Sequence, residues 1–358
     1  MLRPDPLLVA DFDFALPPGL IAQRPLPERD ASRMMVVSRK DGAIVHARFR
    51  DFPERMARGD LLVFNDAKVI PAKAWGRKDG KSVEFLFIKE KAAGVWEVLC
   101  RPAKRLRRGD RIEFAPGFAA EVVDVGDEGR RTLAFGAPDV LDRLKEIGFA
   151  PLPPYIKRRK EDATRRTEDL IRYQTVFADR EGAIAAPTAG LHFAARELDE
   201  LRDRGVATAR VTLDVGPATF QPVRTERLED HRMLEETYTI SNEAAAAIGG
   251  AKGAGRPVVA VGTTVVRTLE SAARREDAAA PGPVLRLPAG SGATRLFIHP
   301  GFEFRIVDRL LTNFHLPKST LFMLVAAFAG RDLILEAYSE AVREGYRFFS
   351  YGDCMLIT

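Results

Sequence analysis

Cysteine is scarce in this chain. Only Cys100 and Cys354 occur among 358 residues, and neither belongs to a CxxC pair. Neither a disulfide framework nor a zinc knuckle is expected. The five histidines, His46, His192, His231, His299 and His315, show no HExxH or similar spacing, so no metal is expected. A Walker A loop, a GxSxG elbow and a GxGxxG turn are also missing. Long apolar runs are missing too. Leu321–Ala329 spans nine residues, too few to cross a bilayer. The opening MLRPDPLLVADFDF has no signal-peptide apolar region, because Asp11 and Asp13 interrupt it. A reduced, cytoplasmic location is the resulting expectation.

What is present suits a globular protein. Hydrophobic residues make up 46% and charged residues 29%, and the length suggests two domains with sizeable cores. Lys and Arg number 55 against 50 Asp and Glu, a net charge of +5. The basic residues cluster. Arg101, Lys104, Arg105, Arg107, Arg108 and Arg111 form one run; Lys157, Arg158, Arg159, Lys160, Arg165 and Arg166 form another. A charge run is commonly a solvated face, but two runs raise the prospect of a phosphate-rich ligand.

Hydrophobic patterning divides the chain. Short strand-like runs fill residues 60–147: Leu61–Phe64, Ser82–Ile88, Val95–Leu99, Arg111–Phe114, Ala119–Val125 and Arg131–Phe135, punctuated by Gly, Asp and Pro. They predict a small all-β barrel or sandwich closed by a helix over Asp139–Ile147. The remainder alternates strand and helix. Leu191, Ala195, Leu198 and Leu201 share a helix face, Pro257–Val261 is a buried strand, and Asp332–Glu344 is an amphipathic helix. The expected architecture is α/β: a larger domain over 1–59 and 150–358, interrupted by a barrel-like unit over 60–149. Glu276–Gly292 is rich in Ala, Gly and Pro and reads as a surface loop.

Polar residues gather beside turns. Thr312-Asn313-Phe314-His315-Leu316-Pro317 precedes an apolar helix that Ser319 or Thr320 can cap. Gly262-Thr263-Thr264 joins a strand to a helix N-terminus, which favours anions and ribose hydroxyls. Further polar turns lie at Arg172–Gln174, Thr188–His192, Asp214–Thr219, His231–Glu236 and Tyr351–Asp353. Each alone reads as an ordinary cap or turn. Together, at strand ends of an α/β fold, they suggest a polar cleft.

At these residues the chain resembles the S-adenosylmethionine:tRNA ribosyltransferase-isomerases of queuosine synthesis. The resemblance spans Phe12–Pro17, Leu20–Gln23, Ser32-Arg33, Phe64-Asn65, Val69–Pro71, Arg101–Lys104, Pro151–Tyr155, Arg172–Val176, Ala186–Phe193, Val261–Thr264, Thr312–Pro317 and Tyr346–Asp353. It implies transfer and isomerisation of the ribosyl unit of S-adenosylmethionine onto the 7-aminomethyl-7-deazaguanine wobble base of tRNA. The implied products are epoxyqueuosine tRNA, adenine and methionine. It implies no metal, and a monomer is the working expectation. It points to His315, His192, Asp214, His231 and Glu236 for catalysis. Gly262, Thr263, Thr264, Asn313 and Thr188 would bind the co-substrate. Arg172, Tyr173, Gln174, Arg101, Lys104 and Arg158 would bind the tRNA.

Two positions depart from the family pattern. Asp214 stands where relatives carry a His in Val-Thr-Leu-His-Val-Gly, and Leu234 replaces the second His of His-x-Met-His-x-Glu. An alternative reading is therefore a diverged paralogue that binds tRNA or an adenosyl compound without this transfer.

Overall fold

The computed structural model describes residues 7–158, 165–216, 223, 225–274 and 287–358. The strands begin with β1 (Arg33–Val37), β2 (Ile44–Arg48), β3 (Leu61–Asn65) and β4 (Ala67–Val69). Next come β5 (Lys73–Lys78), β6 (Lys81–Ala92), β7 (Val95–Arg101), β8 (Arg111–Ala115), β9 (Phe118–Val125) and β10 (Arg130–Phe135). Then follow β11 (Arg180–Ala183), β12 (Ala207–Leu213), β13 (Glu236–Ile240), β14 (Val258–Val261), β15 (Gly290–Thr294), β16 (Arg309–Asn313) and β17 (Cys354–Ile357). The helices are α1 (Val140–Ile147), α2 (Arg166–Arg172), α3 (Ala195–Asp203), α4 (Asn242–Gly253), α5 (Thr263–Ala272), α6 (Thr320–Ala329) and α7 (Arg331–Arg343).

A nine-stranded sheet, ordered β15-β13-β12-β3-β14-β16-β17-β1-β2, forms the larger body. Its central strands β12, β3, β14 and β16 are mutually parallel. Both faces are covered, so these strands read as continuous apolar runs. Leu61, Val63, Val258, Ala260 and Leu310 pack into one core with α4 to α7. Leu62, Phe64, Val259, Val261 and Leu311 pack into another with α3 and the turns around Phe49 and Phe52. Ser319 caps α6, its Oγ accepting from the Phe322 N–H at 3.2 Å. Such a cap contributes about 1 kcal/mol.

Six strands, β5 to β10, close a barrel. Its core alternates along the strands, with Val83, Phe85 and Phe87 facing Trp96, Val98, Cys100 and Ile112. The larger α/β body interrupted by a β-barrel is as expected, with one boundary corrected. Leu61–Phe64, expected in the barrel-like unit, forms the central strand β3 of the large sheet. The sixth barrel strand is instead β5, Lys73–Lys78, which has no counterpart among the expected strands. Its inward positions are Ala74 and Gly76, and a Cβ at Gly76 would lie 2.5 Å from Ile112. Close packing here needs small residues, which leave little hydrophobic signal. The expected loop over Glu276–Gly292 lies partly outside the described residues, and its end belongs to β15.

A candidate active site along the carboxyl edge of the sheet

The parallel strands end on one edge, and each is followed by polar residues. Asp214 follows β12; Asn65 and Asp66 end β3; Gly262, Thr263 and Thr264 follow β14; Asn313 and His315 end or follow β16. Strands of opposite sense bring their starts to the same edge, adding Glu236 from β13, Asp353 before β17, and Ser32 before β1. Asp214 and Asn313 stand three strand spacings apart, about 14 Å. This is where an open α/β sheet carries its ligands.

At the β16 end the hydrogen bonds fix a tautomer. Asn313 Nδ2 donates to the Phe349 carbonyl at 3.1 Å, which places its amide nitrogen, and the same group meets His192 Nε2 at 3.1 Å. Nε2 therefore accepts. The proton sits on Nδ1, 2.7 Å from Ser32 Oγ, and Ser32 in turn donates to the Arg29 carbonyl. Burial, then Arg347 and Arg29, push the His192 pKa down to about 3, so the ring is neutral at pH 7. Both its nitrogens are engaged. Its phenyl neighbour Phe49 lies 5.3 Å away, centroid to centroid. Asn313 Oδ1 is buried without a partner.

His315 is also buried. Its Nε2 lies 2.9 Å from Thr312 Oγ1, and its backbone N–H donates to the Tyr338 hydroxyl. Burial pushes its pKa down to about 3. Such an imidazole is a weak base.

In the middle of the edge, Gly262 takes φ +97°, a backbone that a side chain strains, and Ala189 packs 3.5 Å from where its Cβ would stand. This seats the Thr188–His192 turn against the start of α5. Thr264 Oγ1 lies 3.4 Å from Asn65 Nδ2, while Asn65 also bonds the Leu213 backbone in both directions. The first turn of α5 opens its free N–H groups on this edge. Thr263 is buried, and Thr188 is half-buried.

At the β12 end, Asp214 is exposed and, among the described residues, accepts a bond from Thr237 Oγ1 at 3.1 Å. The nearby turn at Gly216 is closed by Glu236, whose Oε1 accepts its N–H, and not by Asp214. Glu236 also pairs with buried Arg267. A base role for Glu236 therefore conflicts with its buried ion pair. His231 precedes β13 at this same edge, half-buried in a pocket of about 420 Å³ with Phe297 and His299, which follow β15, and burial lowers its pKa. Leu234 is 43% exposed beside that segment.

The basic candidates separate sharply. Arg101, Lys104, Arg105, Arg107 and Arg108 are exposed on the barrel with no carboxylate partner among the described residues. Arg158 is engaged internally, holding both oxygens of Asp169 at 2.8 Å and the Gln23 carbonyl at 3.0 Å. Arg166 bonds the carbonyls of Lys145, Glu146 and Gly148, at the end of α1. Both guanidiniums are held by internal partners, so the expected RNA contact of Arg158 would compete with Asp169. The rest of that run, 159–164, lies outside the described residues. Gln174 clamps Val69 through both backbone groups. Tyr173 is buried, its hydroxyl facing Ser350 and the Ala186 backbone without a well-formed bond. Arg172 bonds the carbonyls of Leu26 and Pro27 and lines a second, small pocket with Arg29, Ser32, His192 and Tyr351.

The structure adds Ser32, Asn65, Asp66 and Arg29 to the residues expected at the site, and Tyr351 of the expected polar turn joins them. A polar residue directly flanking a buried strand is the sequence signal for Ser32, Asn65 and Asp66. Arg29 reaches the site through chain folding alone.

Known proteins match this whole frame. The family described as queuosine biosynthesis protein covers residues 9–357. The chain belongs to that family. A protein of Halothermothrix orenii named S-adenosylmethionine:tRNA ribosyltransferase-isomerase is 47% identical over 98% of this chain and 99% of its own. One of Carboxydothermus hydrogenoformans with the same name is 49% identical over 97% and 98%. The crystal structure of S-adenosylmethionine tRNA ribosyltransferase from Thermotoga maritima is 38% identical, covers 97% of this chain and 100% of its own, and aligns with a TM-score of 0.54. Among the described residues of this family member no group of three His, Cys, Asp or Glu is placed to hold a metal, and no helix is long and apolar enough to cross a membrane.

Proposed function

We propose that the chain transfers and isomerises the ribosyl unit of S-adenosylmethionine onto the 7-aminomethyl-7-deazaguanine wobble base of tRNA, giving epoxyqueuosine tRNA, adenine and methionine. The observation that carries this reading is the row of polar groups along one sheet edge, ending in an acceptor, Asn313 Oδ1, that is buried with no partner. Buried acceptors are rarely left unbonded, so an unpaired one at a strand end is a place for a ligand donor. An amine or an exocyclic amino group supplies such a donor.

The roles divide by environment. Thr263, Thr264 and the first turn of α5 bind the co-substrate. Burial keeps His192 neutral and Asn313 fixes its tautomer, making His192 a positioning residue. The reaction needs a base beside the sulfonium, a donor that helps adenine leave, and an unprotonated amine. Asp214 is an exposed carboxylate at this edge and takes the base role. The exposed barrel arginines and Lys104 contact RNA phosphates, which position rather than specify. A cytoplasmic enzyme acting on tRNA follows.

Incubating the protein with S-adenosylmethionine and precursor tRNA tests this reading. One adenine should be released per modified base. Binding of both substrates without adenine release would instead support the diverged paralogue.

A further inference from the structure

Arg29, Arg172 and Arg347 surround His192, and all three are half-buried. None has an ion-paired carboxylate among the described residues. Their bonds go to carbonyls: Arg29 to Leu191 and Ile171, Arg172 to Leu26 and Pro27, Arg347 to Arg24. Most nearby acids have other partners: Glu28, on the rim, pairs with Arg50, Asp169 with Arg158, and Asp353 accepts the backbone N–H groups of Arg33 and Arg347 while its charge also faces Arg347. Among the described residues Arg29 and Arg172 have carbonyl partners and no facing carboxylate, and a buried charge without a counter-charge is costly.

Donors are also left over. Arg172 Nε, Arg347 Nη1 and the Tyr351 hydroxyl are buried with no partner. Arg29, Arg172 and Tyr351 line one half-open pocket, whose inner space of about 20 Å³ admits a group the size of one oxygen. Burial, then the neighbouring Arg172, lower the pKa of Arg29, the sign of two cations sharing a site.

We infer that this pocket is an oxyanion site, in which Arg29, Arg172 and the Tyr351 hydroxyl receive one oxygen of a carboxylate or phosphate group at the pocket mouth, with Arg347 supplying further positive charge. The site stands on its own geometry. Only its natural occupant rests on the proposed function, which offers two sources of this chemistry: the carboxylate of S-adenosylmethionine and a phosphodiester of the RNA.

The first test uses inorganic phosphate and the wild-type protein. Titration at constant ionic strength should shift the Arg172 Nε–H resonance in a saturable way. An unmoved resonance would overturn the site whatever the enzyme's activity. The second test locates the occupant with Arg29→Met and Arg172→Met, and with Arg172→Lys as the variant that keeps the charge. For a carboxylate, affinity for S-adenosylmethionine should fall about tenfold, the scale of one charge-assisted bond, while decarboxylated S-adenosylmethionine binds unchanged. For a phosphodiester, RNA affinity should fall and its salt slope should drop by about one unit. Arg172→Lys should recover part of either loss. Unchanged affinity for both in correctly melting variants would mean that the arginines only tie down carbonyls, and the inference would fail.

Discussion

His192 Nε2 and Asn313 Nδ2 face each other at 3.1 Å, and the Phe349 carbonyl decides which of them donates. Nitrogen-15 spectra should therefore show a neutral His192 with its proton on Nδ1 at pH 7. Asn313→Ala removes the donor that Nε2 and the Phe349 carbonyl share. It should destabilise the fold by about 2 kcal/mol, since two buried acceptors are left short, and release the ring from one tautomer. A protonated Nε2 in the wild type would contradict the hydrogen-bond chain from Phe349 to Ser32.

Stability should depend on pH through His192 and His315. Both have folded pKa values of about 3, below the ordinary value of 6.5. Between these values the unfolded chain binds more protons than the native one, so stability rises with pH there and levels off above 6.5. Each histidine contributes a slope of up to about 1.4 kcal/mol per pH unit. Denaturant melts of wild type and His315→Gln between about pH 4 and 7 should show a shallower slope in the variant. Equal slopes would mean that His315 is accessible to protons in the folded state.

The two basic runs should behave differently. Arg158→Gln strips Asp169 of its partner in a mostly buried pair, with side chains 17% and 10% exposed. It should destabilise the protein by on the order of 3 kcal/mol and leave the salt dependence of tRNA binding intact. Changing Arg105, Arg107 and Arg108 to Gln should do the reverse, lowering the salt slope by about 0.9 for each phosphate no longer neutralised. Thermal melts and filter-binding at several salt concentrations separate the two effects.

Much of this division is legible in the sequence. The apolar runs at β3, β14 and α6 report their elements directly, because burial on both faces leaves no polar interruption. The turn at Gly262 and the cap at Ser319 carry their own chemistry. Other parts are hidden. Lys73–Lys78 faces the barrel core with Ala and Gly, so its strand shows almost no hydrophobic alternation. Arg158 and Arg166 look like their neighbours in a charge run, yet their partners, Asp169 and the end of α1, are set by packing. Ser32 and Asn313 lie far apart in the chain and meet on opposite sides of one imidazole. No local pattern can report that.

Asp214 carries the sharpest expectation for a single substitution. Asp214→Asn should abolish turnover, and Asp214→His, which replaces one titratable base with another, should restore part of it. Substrate affinities should change little in either variant. A fully active Asp214→Ala enzyme would remove both a base and an orienting role.

The most direct test of the site is the structure with S-adenosylmethionine bound. The ligand should lie across the carboxyl edge, in contact with Thr264 and the first turn of α5, and reach toward Asn313. A ligand seated instead on the barrel, away from Thr264 and Asn313, would contradict the assignment of this edge as the reaction centre.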